Sequence, residues 1–387
     1  MNKIVKIYTQ LLKAEITGTS VSEEILGQIT PEIKEQLYHI SRKNDLAHVI
    51  AAVLQRNNLL GEDELSAKYS KVLYKAVMRY ENIRYEFGQI CSLFEEEKIV
   101  YVPLKGSVIR TFYAEPWLRT SNDIDILIRP EDLDRACELL HTRLNYYDGI
   151  LTTKDLSLFS PSGVHLELHF KIQESMEKMD RVFCNLWDYI EPVKENEYRY
   201  KMTPEYFLFH IVAHIAKHML HGGCGVRAYV DVWLLMKHLQ YDENIFLQLC
   251  EESELRHFVE SMRKLLNVWF EEEEHDELSR QLERYVIDGG TFGTEEMIMT
   301  TKRMNASGGS GYILKRIFMP YKDLCTLYPK LVKLPVLYPV YTVVRWCKLL
   351  NLDVFKRVTN EAQVNSAIAE DKVDELKDLF EKLQLSK

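Results

Sequence analysis

The sequence predicts an α+β fold: a small mixed β-sheet flanked by N-terminal and C-terminal helical regions. Three observations lead there. Short β-rich apolar runs are confined to residues 99–170. Apolar residues with helical period precede them, and a second helical stretch follows from Pro204 onward. Periods of 2 and 3.6 separate strand from helix because side chains alternate faces along a strand and return to one face every three to four residues in a helix.

Taken in order, residues 1–97 carry helical patterns at 46–54 and 71–94, punctuated by Pro31 and Gly61. They read as a helical lead-in whose last helix packs on the sheet. Ile99-Val-Tyr-Val102 is long enough for a buried strand and stops at Pro103. Gly106-Ser107 then supplies a tight turn and a helix N-cap, so residues 108–113 read as helix with its first N–H groups facing outward, an arrangement that favours phosphate. A second strand begins at Asp123, and a helix follows at about 131–141. Residues 156–159 and 164–170 flank Pro161-Ser-Gly163, which signals a hairpin. The chain is expected to divide into 1–97, a core at 98–200, a helical domain at 201–305 lining a cleft, and a helical C-terminal region at 306–387.

The chemistry concentrates in the core. Asp123 and Asp125 lie two apart on a strand and therefore project to one side, while Ile124 and Ile126 project to the other. Two neighbouring carboxylates repel unless a cation sits between them, and Mg²⁺ is held by one or two carboxylates together with substrate phosphates. Val164-His-Leu-Glu-Leu-His-Phe170 alternates in the same way, with His165, Glu167 and His169 on one face. If that strand lies beside the first, Glu167 completes a three-carboxylate site for two metals, one activating an attacking oxygen and one steadying departing pyrophosphate. Without that neighbour, Glu167 is an exposed strand acid with no role. Lys105 and Arg119 flank the acids; they would bind a triphosphate, or Arg119 would simply pair with Asp123 or Asp125.

Leu104-Lys-Gly-Ser107, Arg119-Thr-Ser-Asn-Asp-Ile-Asp125 and Val164-His-Leu-Glu-Leu-His169 together resemble the polymerase-β-like nucleotidyltransferase superfamily. Within it they are similar to a bacterial branch described only as uncharacterised nucleotidyltransferases. The resemblance covers about residues 99–172, and the spacer from Ser107 to Asp123 is longer than is usual in the superfamily. It implies a nucleotidyltransferase core in which Gly106 and Ser107 hold nucleotide phosphates. Asp123, Asp125 and Glu167 would bind Mg²⁺ or Mn²⁺ and serve catalysis, with Glu167 helping to activate the acceptor hydroxyl.

A second constellation lies downstream. His210, His214 and His218 recur every four residues and form one helical stripe, followed by Arg227 and Asp231. The stripe reads as partly buried core histidines, as a zinc site lacking the Glu of His-Glu-x-x-His, or as a face turned to the catalytic cleft. In the resembled branch a His-rich helix lies beside the nucleotide-binding domain, which would put His214, Lys217 and His218 on nucleotide or acceptor. Arg227 and Asp231, at i and i+4, would otherwise form an ion pair. Ala306-Ser-Gly-Gly-Ser-Gly311 lacks the Lys-Ser/Thr of a phosphate loop and reads as a connector. Residues 331–346 are apolar, basic-flanked and interrupted by two prolines, which suits packing on the core better than weak membrane-surface contact. Residues 367–385 form an amphipathic charged helix that packs on the body or pairs with a partner.

Composition narrows the classes. A net charge of −9 over 387 residues argues against broad nucleic-acid binding, so no DNA partner is expected, although a local basic groove for an RNA end stays open. Seven scattered cysteines without Cys-x-x-Cys spacing point to free thiols in a reducing, cytoplasmic setting. No signal peptide or transmembrane run is seen. The expected activity is transfer of an NMP group from an NTP to an acceptor that is a small molecule, an RNA or a protein. A non-catalytic nucleotide sensor and a toxin-type nucleotidyltransferase are the rivals.

Overall fold

The computed structural model describes residues 2–174, 176–195, 197–291, 293–304, 319–328, 331, 334–349 and 368–385. The glycine-serine stretch at 306–311 lies outside the described residues.

Four helices open the chain: α1 (Lys3–Thr17), α2 (Glu23–Leu26), α3 (Pro31–Lys43) and α4 (Ala47–Arg56). The 33-residue α5 (Glu64–Glu96) follows, capped by Asp63, whose carboxylate accepts from the Ser66 N–H at 3.0 Å. Such a cap satisfies one of the helix's orphan donors and contributes about 1 kcal/mol. The sheet then builds from β1 (Tyr101–Pro103), β2 (Asp123–Ile128), β3 (Tyr147–Leu151), β4 (Asp155–Phe159) and β5 (His165–His169), in the spatial order β1-β2-β5-β4-β3. Only the β2–β5 pair is parallel. The hairpin at Pro161-Ser-Gly163 joins β4 to β5, with Gly163 at φ 81°, a left-handed turn position.

Period-2 alternation gives the sheet two different faces. Ile124, Ile126, Ile128, Leu166 and Leu168 pack with Ile83, Ile90 and Phe94 of α5 and with Ala136 and Leu140 of α7 (Leu133–Leu144). The short α6 (Gly106–Ile109) runs on into a 3₁₀ turn at Arg110–Phe112, so the expected helix at 108–113 is only one α-helical turn. A six-residue helix, α8 (Glu177–Val182), and a small ribbon of β6 (Ile190–Pro192) with β7 (Tyr200–Met202) lead to the C-terminal helices.

These are α9 (Pro204–Leu220), α10 (Val226–His238), α11 (Glu243–Glu252), α12 (Arg256–Phe270), α13 (Glu277–Gly289) and α14 (Glu295–Met304). Their apolar faces share one core with the N-terminal helices, from Val5, Tyr8 and Leu12 to Trp269, Phe270 and Val286. The helix Glu370–Lys382 closes the same core through Leu376, Leu379 and Phe380, and so packs on the body.

The segment at 331–346 departs from expectation. The 3₁₀ turn Pro335–Leu337 leaves Val336 80% exposed, and the helix Tyr338–Leu349 leaves Val340 55% exposed, with Val343 and Trp346 also exposed. Its tyrosines take the internal contacts instead, Tyr338 against Tyr321 and Tyr341 against Tyr328, so the valines face away. No described helix is long and apolar enough to cross a membrane.

Candidate active site

The parallel pairing of β2 with β5 sets Asp123 opposite His165 and Asp125 opposite Glu167. Neighbouring strands lie about 5 Å apart, so this register places the acids side by side on one sheet face. Two groups of ligand atoms result, each within 4.8 Å: Asp123, His165 and Glu167, and Asp125, Glu167 and His169. The histidine stripe does not form such a group among the described residues.

Asp125 is the most firmly held of the acids. Lys105 Nζ donates to its Oδ1 at 2.9 Å and His169 Nε2 donates to the same oxygen at 3.0 Å. Burial opposes its charge, yet the Lys105 ammonium and the His169 bond hold its carboxyl well below the usual range. Burial likewise opposes the Lys105 charge, and Asp125 outweighs it and raises the ammonium. The His169 bond, at 3.4 Å, is also the first cause of the lowered Glu167 carboxyl. Asp123 behaves oppositely: burial, then the negative charge of Asp125, push its carboxyl up. Lys105 and Arg119 relieve the charge repulsion at Asp123 only in part. Clustered carboxylate oxygens with one such member fit a small divalent cation of the Mg²⁺ type.

The acids form one wall of a cavity of about 360 Å³. Lys105, Gly106, Arg119, Asp123, Asp125 and Glu167 line it from the sheet side, and His214, Lys217 and His218 from α9. The sequence-derived candidates thus meet in one cavity, except Ser107, which does not line it. The Ser107 N–H is spent on the Leu104 carbonyl at 3.1 Å, and the residue before the helix is Lys105 rather than Gly106 or Ser107. The expected outward row of N–H groups is accordingly shorter than foreseen. Lys105 itself sits at φ 39°, ψ −114°, a strained backbone of the kind that clusters at functional sites.

Arg119 pairs with neither Asp123 nor Asp125. Its fork meets Asp231 of α10, with Nε at 2.9 Å and Nη2 at 2.8 Å from Oδ2, and Tyr113 donates to Oδ1 at 2.7 Å. Burial disfavours the guanidinium charge, and Asp231 more than compensates. The expected Arg227–Asp231 pair is absent for the same reason: Asp231 is taken by Arg119, and Arg227 bonds Asp45 at 2.6 Å. Arg119 Nη1 also donates to the Thr120 carbonyl, and this fork anchors the loop that enters β2.

Sequence reasoning missed Glu174. Only 3% exposed, it lies in irregular chain after β5, within 3.2 Å of His214 Nδ1 and 3.0 Å of Lys217 Nζ. Burial opposes its charge, but His214 and Lys217 hold its carboxyl well below the usual range. His210 is buried beside it at 3.8 Å, and burial drives its imidazole down to about 3. His218, 3.0 Å from His214 Nε2, is likewise pushed to about 3 by burial and the neighbouring His214. The stripe is thus neutral imidazole around one buried carboxylate. A basic residue at Lys217 beside three histidines on a buried helix was the signal that a counter-charge had to exist.

Gly106 illustrates how tight the entry loop is. A Cβ there would sit 3.2 Å from Ser121 Cβ. Ser121 Oγ accepts from Arg110 Nη2 at 2.9 Å and donates to the Asp123 carbonyl at 3.0 Å. Gly106→Ala should therefore shift Ser121 and with it Asp123. Stability is expected to stay within about 1 kcal/mol, since added helix propensity offsets mild overpacking, while turnover falls about tenfold. Equal turnover in the two proteins would refute this.

A family model described as uncharacterised nucleotidyltransferase matches residues 31–271. The chain belongs to that family. It is a transferase of the nucleotidyl-transferring kind, and the matched region contains the whole sheet, α9 and α10. Among solved structures, the Megavirus polyadenylate synthase is similar at 14% identity, over 47% of this chain and 40% of that one, with a TM-score of 0.30. At that score the likeness bears no weight. No curated protein matches.

Proposed function

We propose that this nucleotidyltransferase moves an NMP group from an NTP to an acceptor hydroxyl with Mg²⁺ or Mn²⁺, and that the cavity between β2, β5 and α9 is its active site. One observation carries the reading: the parallel register that pairs Asp125 with Glu167 beside Asp123. A cation held there by Asp123, Asp125 and Glu167 would supply charge to the phosphoryl oxygens when bound. Glu167, 28% exposed in its side chain and ionised, faces the cavity and accepts the acceptor's proton.

Lys217, with His214 and His218, faces the acids across the cavity and contacts nucleotide phosphate or acceptor, with Glu174 fixing the orientation of Lys217. Lys105 and Gly106 lie at the phosphate side. Arg119 adds positive potential, while its fork stays committed to Asp231. The acceptor class, whether small molecule, RNA or protein, is set by what reaches this cavity.

The test is pyrophosphate release from ATP, GTP, CTP and UTP in the presence of Mg²⁺, with clarified lysate as the acceptor source. Wild-type protein is expected to release pyrophosphate and Asp125→Asn to fall by about a thousandfold; equal rates would remove the assignment. The Lys105–Asp125 ion pair, which already neutralises the central acid, favours a second reading as a nucleotide sensor. NTP binding with no release from any of the four nucleotides would select it.

A further inference from the structure

Behind the loop that carries Arg119 and Asn122 lies a second, smaller hollow of about 70 Å³, bounded by the end of α3, the start of α4 and one face of α5. Arg42 comes from the last turn of α3, while Lys75 and Arg79, four residues apart, share a face of α5. Among the described residues no carboxylate forms an ion pair with any of the three. Asp45 is the one acid in the lining, and Arg227 holds it at 2.6 Å. Four cations thus meet one carboxylate.

The floor is polar and incomplete. Thr120 lines the hollow and is 4% exposed, and its hydroxyl has no hydrogen-bond partner. A buried hydroxyl left unpaired costs stability, so a position that keeps one is suited to an incoming acceptor atom. His48 forms part of the wall. Its Nε2 lies 2.8 Å from the Leu118 carbonyl, which only accepts, so Nε2 carries the proton. Burial lowers that imidazole to about 4, and it therefore adds no charge of its own.

We propose that this hollow is a phosphate-group subsite separate from the catalytic cavity. Arg42, Lys75 and Arg79 supply the charge, and the Thr120 hydroxyl donates to a phosphate oxygen. The volume admits one tetrahedral oxyanion and excludes a nucleoside. The site also adjoins the catalytic loop: Thr120 is bonded to Arg119 and Ser121, and its carbonyl accepts from Arg119 and, at 3.4 Å, from Arg227. Both arginines line the catalytic cavity, so an anion behind Thr120 stiffens the wall in front of it. The inference goes beyond nucleotidyl transfer and does not depend on it.

Calorimetric titration of the full chain with inorganic phosphate, at ionic strength matched with chloride, tests it without turnover. Wild type is expected to bind, Arg79→Gln and Thr120→Val to bind about tenfold more weakly or worse, and Lys217→Gln, altered in the catalytic cavity, to retain the binding that depends on Arg79. Thr120→Val should also melt higher than wild type without phosphate, because the unpaired hydroxyl is gone. Ribose 5-phosphate separates the sources. Binding with the same dependence on Arg79 assigns the subsite to a phosphorylated organic ligand, and selectivity for inorganic phosphate assigns it to the free anion. Absence of phosphate binding by wild type, or binding that Arg79→Gln leaves unchanged, overturns the proposal.

Discussion

Asp123→Asn should raise the denaturation midpoint of the protein and abolish nucleotidyl transfer. Its carboxyl is pushed up by burial and by the Asp125 charge, with Glu167 adding to the repulsion and Lys105 and Arg119 only partly offsetting it. An acid whose carboxyl is raised in the folded state destabilises that state wherever it is ionised, so at neutral pH the neutral amide removes a cost. A gain of about 0.5–2 kcal/mol is the usual scale for relieving such a site. On the proposed site, turnover should drop about a thousandfold, because one of the carboxylates that would hold the cation is lost. Both arms are read on one preparation, by urea denaturation in EDTA and by pyrophosphate release. Added Mg²⁺ should stabilise wild type and leave the variant nearly unmoved. A variant less stable than wild type in EDTA would contradict the charge argument, and one that still turns over would contradict the site.

Asp231→Ala is expected to cause the largest loss of stability, about 3–5 kcal/mol, because it strands the Arg119 guanidinium in the interior. Arg119, Asp231 and Tyr113 are each less than 10% exposed, and among the described residues the Asp231 carboxylate is the one counter-charge they bond, Arg119 otherwise donating to the Thr120 carbonyl. Tyr113→Phe removes one neutral-to-charged bond and should cost about 1–2 kcal/mol. The double change Arg119→Met with Asp231→Leu replaces charge by apolar bulk and should recover most of the stability. Transfer should not recover with it. Arg119 anchors the loop into β2, and displacement of Asp123 by about 1 Å is enough for a hundredfold loss. Chemical denaturation of the three variants, paired with rates, distinguishes this from a surface pair, whose removal would be worth less than about 1 kcal/mol.

The sheet was legible because its strands obey a local rule. Alternation in 123–128 and 164–170 placed the acids on one face and the isoleucines and leucines on the other, and the structure retains both assignments. The helices at 46–54 and 71–94 were legible for the same reason, as α4 and α5. β3 was not: all five of its residues are exposed, so no alternation marks it. The ion pairs were hidden by distance along the chain. Asp231 is 112 residues from Arg119, and Asp45 is 182 from Arg227, whereas the i,i+4 spacing of Arg227 and Asp231 suggested a pair that competition for Asp231 prevents. Glu174 follows β5 in chain with no periodicity, so only the three-dimensional position of α9 reveals its partners. His169 was visible on the acid face, but its two carboxylate bonds depend on strand pairing that one strand's sequence does not contain.

The shared core of the first and later helices has a consequence for how the molecule comes into being. α1 packs against α3 and α4, which follow it closely, and also against α12, so the part of its apolar side that meets α12 is not covered until Trp269 and Phe270 exist. At about 5–20 residues per second, roughly 15–50 s of synthesis separate the two. During that interval the first helices wait with one apolar strip still wet, a natural client for a chaperone, while the more local sheet around β2 and β5 has all its strands about 100 residues earlier.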